Sequence, residues 1–437
     1  MTIWSVAAYL LLPFVVLNLF WRGIRYPAYW FRWPERFGYL EPMHGQKVIW
    51  VHAVSVGEVR SSVELINELA ERFPRHRILV TTMTPTGSEQ VKELFGGRVG
   101  HAYVPYDFPG SVRRFMARVS PEFAVVAETE FWPNLFKACK DRGIPLFLVN
   151  VRLSQESLRG YLRVPRTART MLERATVICA QTNSDAQRLK SLGVTKARIE
   201  VTGNLKFDAP LPDTLLSESR EIRQQWGSNR PILIAASTHR GEERGILSAF
   251  EELRRTYEDL LLVLAPRHPE RFRSVFRLCR QTGAAVALRS RQDGALVKGT
   301  DIVVGDTMGE LQRLYAAADI AFVGGSLVGI GGHNLLEPCA VGVPVIFGPR
   351  MFHFEDISRM VLERGAGCQI PDASGLADSV SLYLQQPALR EAASQAAQQL
   401  VAENRGAVER TLQVMSGSAR WSELKRGAAD PVSALRD

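Results

Sequence analysis

VIWVHAVSVGEVRSSVELINEL, residues 48–69, carries the pattern that decides the fold. Its first seven residues form an unbroken apolar run rich in Val and Ile. A run without alternation is buried on both faces, as in a parallel sheet covered by helices. Small residues and Gly57 then allow a tight turn, and an amphipathic helical stretch follows. The same unit recurs along the chain. Further apolar runs stand at 78–83, 123–129, 145–151, 176–182 and 199–204, and then at 231–237, 260–266, 301–305, 319–326 and 343–349. Repeated βαβ units in two blocks predict an α/β protein of two Rossmann-like, doubly wound domains facing a cleft. The polar stretch 208–230 contains Pro and no strand-like run, and is read as the join. The expected organisation is a segment 1–36, a first domain 37–210, a linker 211–230, a second domain 231–420 and a tail 421–437. A final helix near 384–403 is expected to cross back to the first half, by fold-level analogy. There is no convincing repeat between the halves and no low-complexity segment.

Composition agrees with a globular chain. In 437 residues, 46% are hydrophobic and 23% charged, and 54 Lys and Arg against 45 Asp and Glu give a net charge of +9. These values exclude a disordered, collagen-like or polytopic membrane protein. Cys139, Cys179, Cys279, Cys339 and Cys368 are far apart and contain no CxxC pair. A disulfide framework or zinc site is therefore not expected, and a reducing compartment is.

The start of the chain differs from the rest. Residues 3–21, IWSVAAYLLLPFVVLNLFW, carry no charged side chain, close to the ~20 residues needed to span a bilayer. No basic region precedes them, as a signal peptide would require. Arg22, Arg25, Arg32 and Arg36 follow, interleaved with Trp21, Tyr26, Tyr29, Trp30, Phe31 and Trp33. This predicts an N-terminal membrane-anchor helix, with the body on the cytoplasmic side and the Arg/aromatic segment at the headgroups. Whether the helix spans or lies in the interface stays open.

Ligands of doubly wound sheets gather at the carboxyl ends of the strands, so the residues just after each run are the candidates. Glu58 sits near a helix start. It is either a favoured first-turn acid or a carboxylate able to deprotonate a hydroxyl. Glu128 and Glu130, in AETEFWPNLF (127–136), are expected on one side of an extended segment; one would order the site and the other cap the helix at Pro133. Lys206, in TGNLKFD (202–208), could neutralise a leaving phosphate or a carboxylate. STHRGEE (237–243) could open a helix whose free N–H groups bind an anion. In APRHPERF (265–272), Arg267 could hold a phosphate in forked geometry, while His268 is as readily structural. In GDTMGEL (305–311), Gly309 permits close backbone approach and Met308 could pack on a base. GGSLVGIGGHNLLEPCAVGVPVIFGP (324–349) is the most specific stretch: a Gly-rich loop leads into a helix that places Asn334 and Glu337 on one face. It does not have dinucleotide-fingerprint spacing. His333 and Glu337 lack a third metal ligand nearby.

Together HAVSVGEV, ETEFWPNL, NVRLS, TGNLKFD, APRHPERF, GDTMGEL and GGHNLLEP resemble the bacterial 3-deoxy-D-manno-octulosonic acid (Kdo) transferases of lipopolysaccharide synthesis, in this order and from about residue 48 to 349. The resemblance implies a GT-B glycosyltransferase that moves Kdo from CMP-Kdo to a lipid A precursor, lipid IVA, inverting the anomeric centre and releasing CMP. It implies Glu58 as the general base and Glu128 and Lys206 as transition-state stabilisers. It implies CMP contacts at Pro266 and Arg267, at Thr307, Met308 and Gly309, and at Asn334, Leu335, Leu336 and Glu337. No metal or other cofactor is implied, and the chain has no Asp-x-Asp pair. The expected location is the inner membrane. Arg113, Arg114 and Arg118 and the arginines at 152, 159, 163, 166, 169 and 174 are expected in part to meet acceptor phosphates and anionic headgroups. No nucleic-acid module is visible, so nucleic acid is not an expected partner. The competing readings are a GT-B transferase or epimerase using a UDP-sugar, and a membrane-tethered scaffold with a degenerate cleft.

Overall fold

A computed structural model describes residues 3–418 and Trp421 except Phe131, Pro210 and Asp293, with the backbone alone for residues 3–11 and Arg25. The chain forms two compact units, Met1–Pro210 with Arg405–Asp437, and Leu211–Asn404.

The first unit holds β1 (Lys47–His52), β2 (His76–Thr82), β3 (Gly100–Tyr103), β4 (Phe123–Ala127), β5 (Leu146–Val151), β6 (Val177–Ala180) and β7 (Arg198–Val201). They form one sheet in the order β3-β2-β1-β4-β5-β6-β7, with every pair parallel. Val48, Trp50 and Val126 pack into the core on one face, and Ile49, Val51 and Val125 into that on the other. That double burial is why these runs show no polar alternation.

The second unit repeats the design with β8 (Ile232–Thr238), β9 (Leu261–Pro266), β10 (Val286–Leu288), β11 (Ile302–Val304), β12 (Ile320–Val323), β13 (Val345–Phe347) and β14 (Gly367–Gln369). Its order is β10-β11-β9-β8-β12-β13-β14, again all parallel. The expected α/β architecture of two parallel, helix-covered sheets is present. Three strands were not legible in the apolar runs: β3, β10 and β14. Each lies at a sheet edge and has only three or four residues, so none needs a continuous apolar run.

The boundaries differ from those read from sequence. The stretch 211–230 is not a bare linker, because the helix Leu215–Trp226 buries Leu215, Ile222 and Trp226. Its Arg223 holds Asp319 at 2.9 Å, which ties it to the second unit. The helix Pro387–Asn404 stays with the second unit, and the helix Ala407–Ser416 belongs to the first. Asp208 fastens that last helix by accepting from Gly406 N at 2.7 Å and Val408 N at 2.6 Å. Trp421, placed by sequence in a tail, is buried against Phe73 and Phe123. Residues 422–437 of that tail lie outside the described residues.

The N-terminal helix runs Ile3–Arg25, with Pro13 inside it. Among the described residues no helix is long and apolar enough to cross a membrane. Phe14, Leu17, Phe20, Trp21 and Ile24 are exposed. Two of the arginines assigned to headgroups are instead built into the first unit. Arg36 is 1% exposed, donates to Met83 O at 2.9 Å and lies 4.0 Å from the Tyr103 ring centre. Arg32 pairs with Glu35 at 2.7 Å, and Glu35 accepts from Tyr103 N at 2.9 Å. A guanidinium that covers an aromatic face and satisfies a backbone carbonyl is a packing element.

Candidate active site

In the first unit the turn after β1 delivers Glu58 to the helix Val56–Ser61. Ser55 caps that helix through Glu58 N at 3.4 Å. The Glu58 carboxylate reaches back to Val54 N at 2.5 Å and Ser55 Oγ at 3.1 Å. Glu58 is thus a first-turn acid whose side chain is tied back to the residues that open its helix. Glu58 is 8% exposed. Burial first, and then the charges of Glu128 and Glu130, push its pKa up to about 8, against the lowering effect of Val54 N–H and Ser55. The carboxyl is therefore protonated at neutral pH in this state.

Glu128 follows β4 with φ +60°, its N–H bonded to Val149 O at 2.8 Å. In this left-handed conformation the segment is not extended, and the expected common face of Glu128 and Glu130 does not form. Glu128 pairs with Lys206 at 3.4 Å, which joins two motifs far apart in sequence. Glu130 accepts from Trp132 Nε1 at 3.0 Å; mainly burial, then Glu128, raises it to about 7. Neither acid caps the helix Pro133–Asp141. Asp107 does, accepting from Asn134 N at 2.9 Å and Leu135 N at 2.8 Å. Asn150 positions Lys206 indirectly: fully buried and left-handed at φ +56°, it accepts from Leu205 N at 3.0 Å. Asn150 lies in NVRLS, a motif to which the sequence alone gives no role; Asp107 carries no signal in the sequence, since a cap of a distant helix leaves no local pattern.

In the second unit the segments with expected CMP contacts follow β9, β11 and β12, which lie with β8 in the order β11-β9-β8-β12. The loop after β9 is tied to the end of β8 and to the helix that follows it. Arg267 N donates to Thr238 O at 3.1 Å, and Arg271 pairs with Glu243 at 2.5 Å. Thr307 Oγ1 donates to Glu310 at 2.5 Å. Met308 is 59% exposed, and Gly309 is left-handed at φ +81°. Gly324 has no room for a side chain, since a Cβ there would lie 2.6 Å from Ser237 O.

One expectation changes here. Asn334 precedes the helix Leu336–Ala340 instead of lying on its face, and it accepts from Leu336 N at 3.1 Å while donating to Glu337 at 3.3 Å. Leu335 and Leu336 are buried, so their side chains pack in the core and only their backbone is left for a ligand. In STHRGEE the backbone N–H of His239 is taken up by a carboxylate of the same segment. Glu242, 1% exposed, accepts from His239 N at 2.8 Å, Gly325 N at 2.8 Å and Leu327 N at 3.1 Å. It locks the loop after β8 to the Gly-rich loop after β12, a role invisible in sequence because two of the three donors are more than 80 residues away. Among the described residues no three His, Cys, Asp or Glu side chains group as a metal site.

Of the arginines at 152–174, Arg174 donates to Pro133 O at 2.7 Å and Arg169 pairs with Glu173 at 3.3 Å. Arg159, Arg163 and Arg166 are exposed beside exposed Leu162 and Val164.

The chain is similar to known proteins. The family described as 3-Deoxy-D-manno-octulosonic-acid transferase (kdotransferase) matches residues 31–209, and that described as glycosyl transferases group 1 matches residues 219–400. The 3-deoxy-D-manno-octulosonic acid transferase of Haemophilus influenzae is 39% identical over 409 residues, 92% of this chain and 95% of that protein. The 3-deoxy-D-manno-octulosonic acid transferase of Bordetella pertussis is 38% identical over 420 residues, 93% of this chain and 96% of that protein. The structure of UDP-GlcNAc 2-epimerase from Neisseria meningitidis has a TM-score of 0.58 at 15% identity, covering 85% of this chain and 100% of that one, which is a likeness of fold. With relatives matched over nearly their whole length, and with the motif residues assembled on two parallel sheets, the chain belongs to the 3-deoxy-D-manno-octulosonic acid (Kdo) transferase family and is a glycosyltransferase.

Proposed function

We propose that the chain transfers Kdo from CMP-Kdo to a lipid A precursor in lipopolysaccharide biosynthesis, with inversion and release of CMP. The observation that carries this reading is the cluster of Glu58 with Glu128 and its partner Lys206. A sugar hydroxyl of the acceptor attacks the anomeric carbon and passes its proton to the Glu58 carboxylate. The bond from that carbon to the phosphate oxygen breaks, its electron pair stays on the phosphate, and CMP departs. Glu128 balances positive charge on the oxocarbenium-like sugar. Lys206, the partner of Glu128, is a further stabiliser of the transition state, and Arg267 supplies positive charge for the leaving phosphate, so the proposed step needs no metal. The Pro266–Arg267, Thr307–Gly309 and Asn334–Glu337 segments hold the nucleotide, Leu335 and Leu336 through their backbone.

The test is transfer from freshly generated CMP-Kdo to lipid IVA in detergent with EDTA, read by mass spectrometry. The expected result is a mass increase of one or more Kdo units. Folded protein that binds CMP but makes no product would refute the acceptor, and product only without EDTA would refute metal independence. A product formed from a UDP-sugar instead would overturn the donor.

The proposed location is the cytoplasmic face of the inner membrane. Exposed Phe14, Leu17, Phe20, Trp21 and Ile24 beside Arg22 suit insertion among anionic headgroups. Exposed Arg159, Arg163 and Arg166 offer charge for acceptor phosphates. Full-length protein is expected to sediment with phosphatidylglycerol-containing vesicles, and a form lacking residues 1–25 to remain largely in the supernatant. Equal sedimentation of both would remove the N-terminal helix from this role.

A further inference from the structure

His239 and His333 meet where the loops after β8 and β12 come together. Their Nε2 atoms are 2.8 Å apart, and the rings are nearly parallel, at 9° with centres 5.0 Å apart. A neutral imidazole has one N–H and one bare nitrogen. Two rings facing Nε2 to Nε2 must therefore share a single bridging proton. One ring donates through Nε2 and has a bare Nδ1; the other accepts and carries its proton on Nδ1. Adding one proton to the bare Nδ1 makes an imidazole–imidazolium pair with both Nδ1–H groups directed away from the bridge. Among the described residues neither Nδ1 has a hydrogen-bond partner.

The surroundings hold the pair neutral in the absence of ligand. Burial, then His268 and Arg271, then Arg267, lower His239 against a raising contribution from Glu243. Burial, then Arg267, His239, His268 and His353, lower His333 to about 3. Apart from Glu243, which is engaged with Arg271, these groups all disfavour a further positive charge. An anion placed among them reverses that balance. Such an anion is expected here, because the pair stands at the carboxyl ends of adjacent strands, where doubly wound sheets receive their ligands.

We infer that the His239–His333 pair is a proton-linked anion site for the phosphate of the cytidine nucleotide, an inference that rests on the donor proposed above. As the glycosyl bond breaks, the phosphate goes from one negative charge to nearly two. The acceptor's proton goes to Glu58, and the histidine pair draws one proton from water as the phosphate charge grows. That proton returns to water when CMP leaves, so no net proton is consumed at the pair.

The test is CMP binding to the full chain by calorimetry between pH 7 and 8.5, in two buffers of different ionisation enthalpy, with cytidine as the phosphate-free probe. The wild type is expected to take up about half to one proton per CMP near pH 7 and to bind CMP more tightly as pH falls. His239→Gln and His333→Gln are each expected to weaken CMP binding about tenfold at pH 7 and flatten its pH dependence, while cytidine binding is unchanged. CMP binding without proton uptake would overturn the inference and leave the donor intact. So would wild-type affinity and pH dependence in both variants. An equal loss for CMP and cytidine would also overturn it, since the rings would then shape the loop and not read the phosphate. A wild type that binds neither probe would overturn the donor itself and this inference with it.

Discussion

Glu58→Gln is expected to reduce Kdo transfer by about a thousandfold and, at pH 8, to make the first unit more stable than the wild type. The first effect follows from removing the base while keeping the shape of its side chain. The second follows from the cost of charging a carboxyl that is 8% exposed. Its pKa stands near 8 in the folded chain against an ordinary 4.5. Between those values the folded state binds the proton and the unfolded state has released it. Stability therefore falls as pH rises from about 4.5 through about 8. Glutamine bears no such charge and can still accept from Val54 N. A gain of about 2 kcal/mol at pH 8 is expected, shrinking toward zero near pH 4.5; this is well below the full linkage value, because one acceptor oxygen is lost. Urea unfolding of both forms at pH 5 and pH 8 measures it, and equal stability at both would contradict the buried-charge argument. The wild-type rate should drop about tenfold per unit as pH falls below 8. A flat profile down to pH 6 would show that Glu58 is ionised during catalysis by some influence not yet in the mechanism, or is not the base.

Glu242→Leu is expected to destabilise the second unit by about 3 kcal/mol and to weaken CMP binding at least tenfold. Leucine fills the volume but accepts no hydrogen bond. The N–H groups of His239, Gly325 and Leu327 would lose the carboxylate that now holds them within 2.8–3.1 Å. A stranded buried N–H costs about 1–3 kcal/mol, partly offset by no longer burying a carboxylate. Once untied, the two loops need not return His239 to His333. Glu242→Gln should fall between, because its amide carbonyl can still accept while its N–H₂ opposes a donor. Thermal unfolding and CMP titration of both variants decide the matter; unchanged CMP affinity in a destabilised Glu242→Leu protein would confine Glu242 to a purely structural role.

The sequence by itself determined the α/β class, most of the strands and the family. The interior strands were legible because burial on both faces writes an unbroken apolar run into consecutive residues, as in VIWV at 48–51. Motifs such as TGNLKFD were legible because each is contiguous. The edge strands β3, β10 and β14 were not, because they are short and half covered. The tertiary structure alone decided the partnerships. Left-handed backbone at Glu128 cancelled the alternation argument for Glu130. Asp107 took the capping role given to the ETE acids, and Asp208 fastened a helix from the far end of the chain. Glu242 met its backbone donors, and His239 met His333, only because β8 and β12 are neighbours in the sheet. Periodicity is local and survives in a sequence. The pairing of a buried carboxylate or imidazole is set by strand order, which brings together residues that no spacing rule connects.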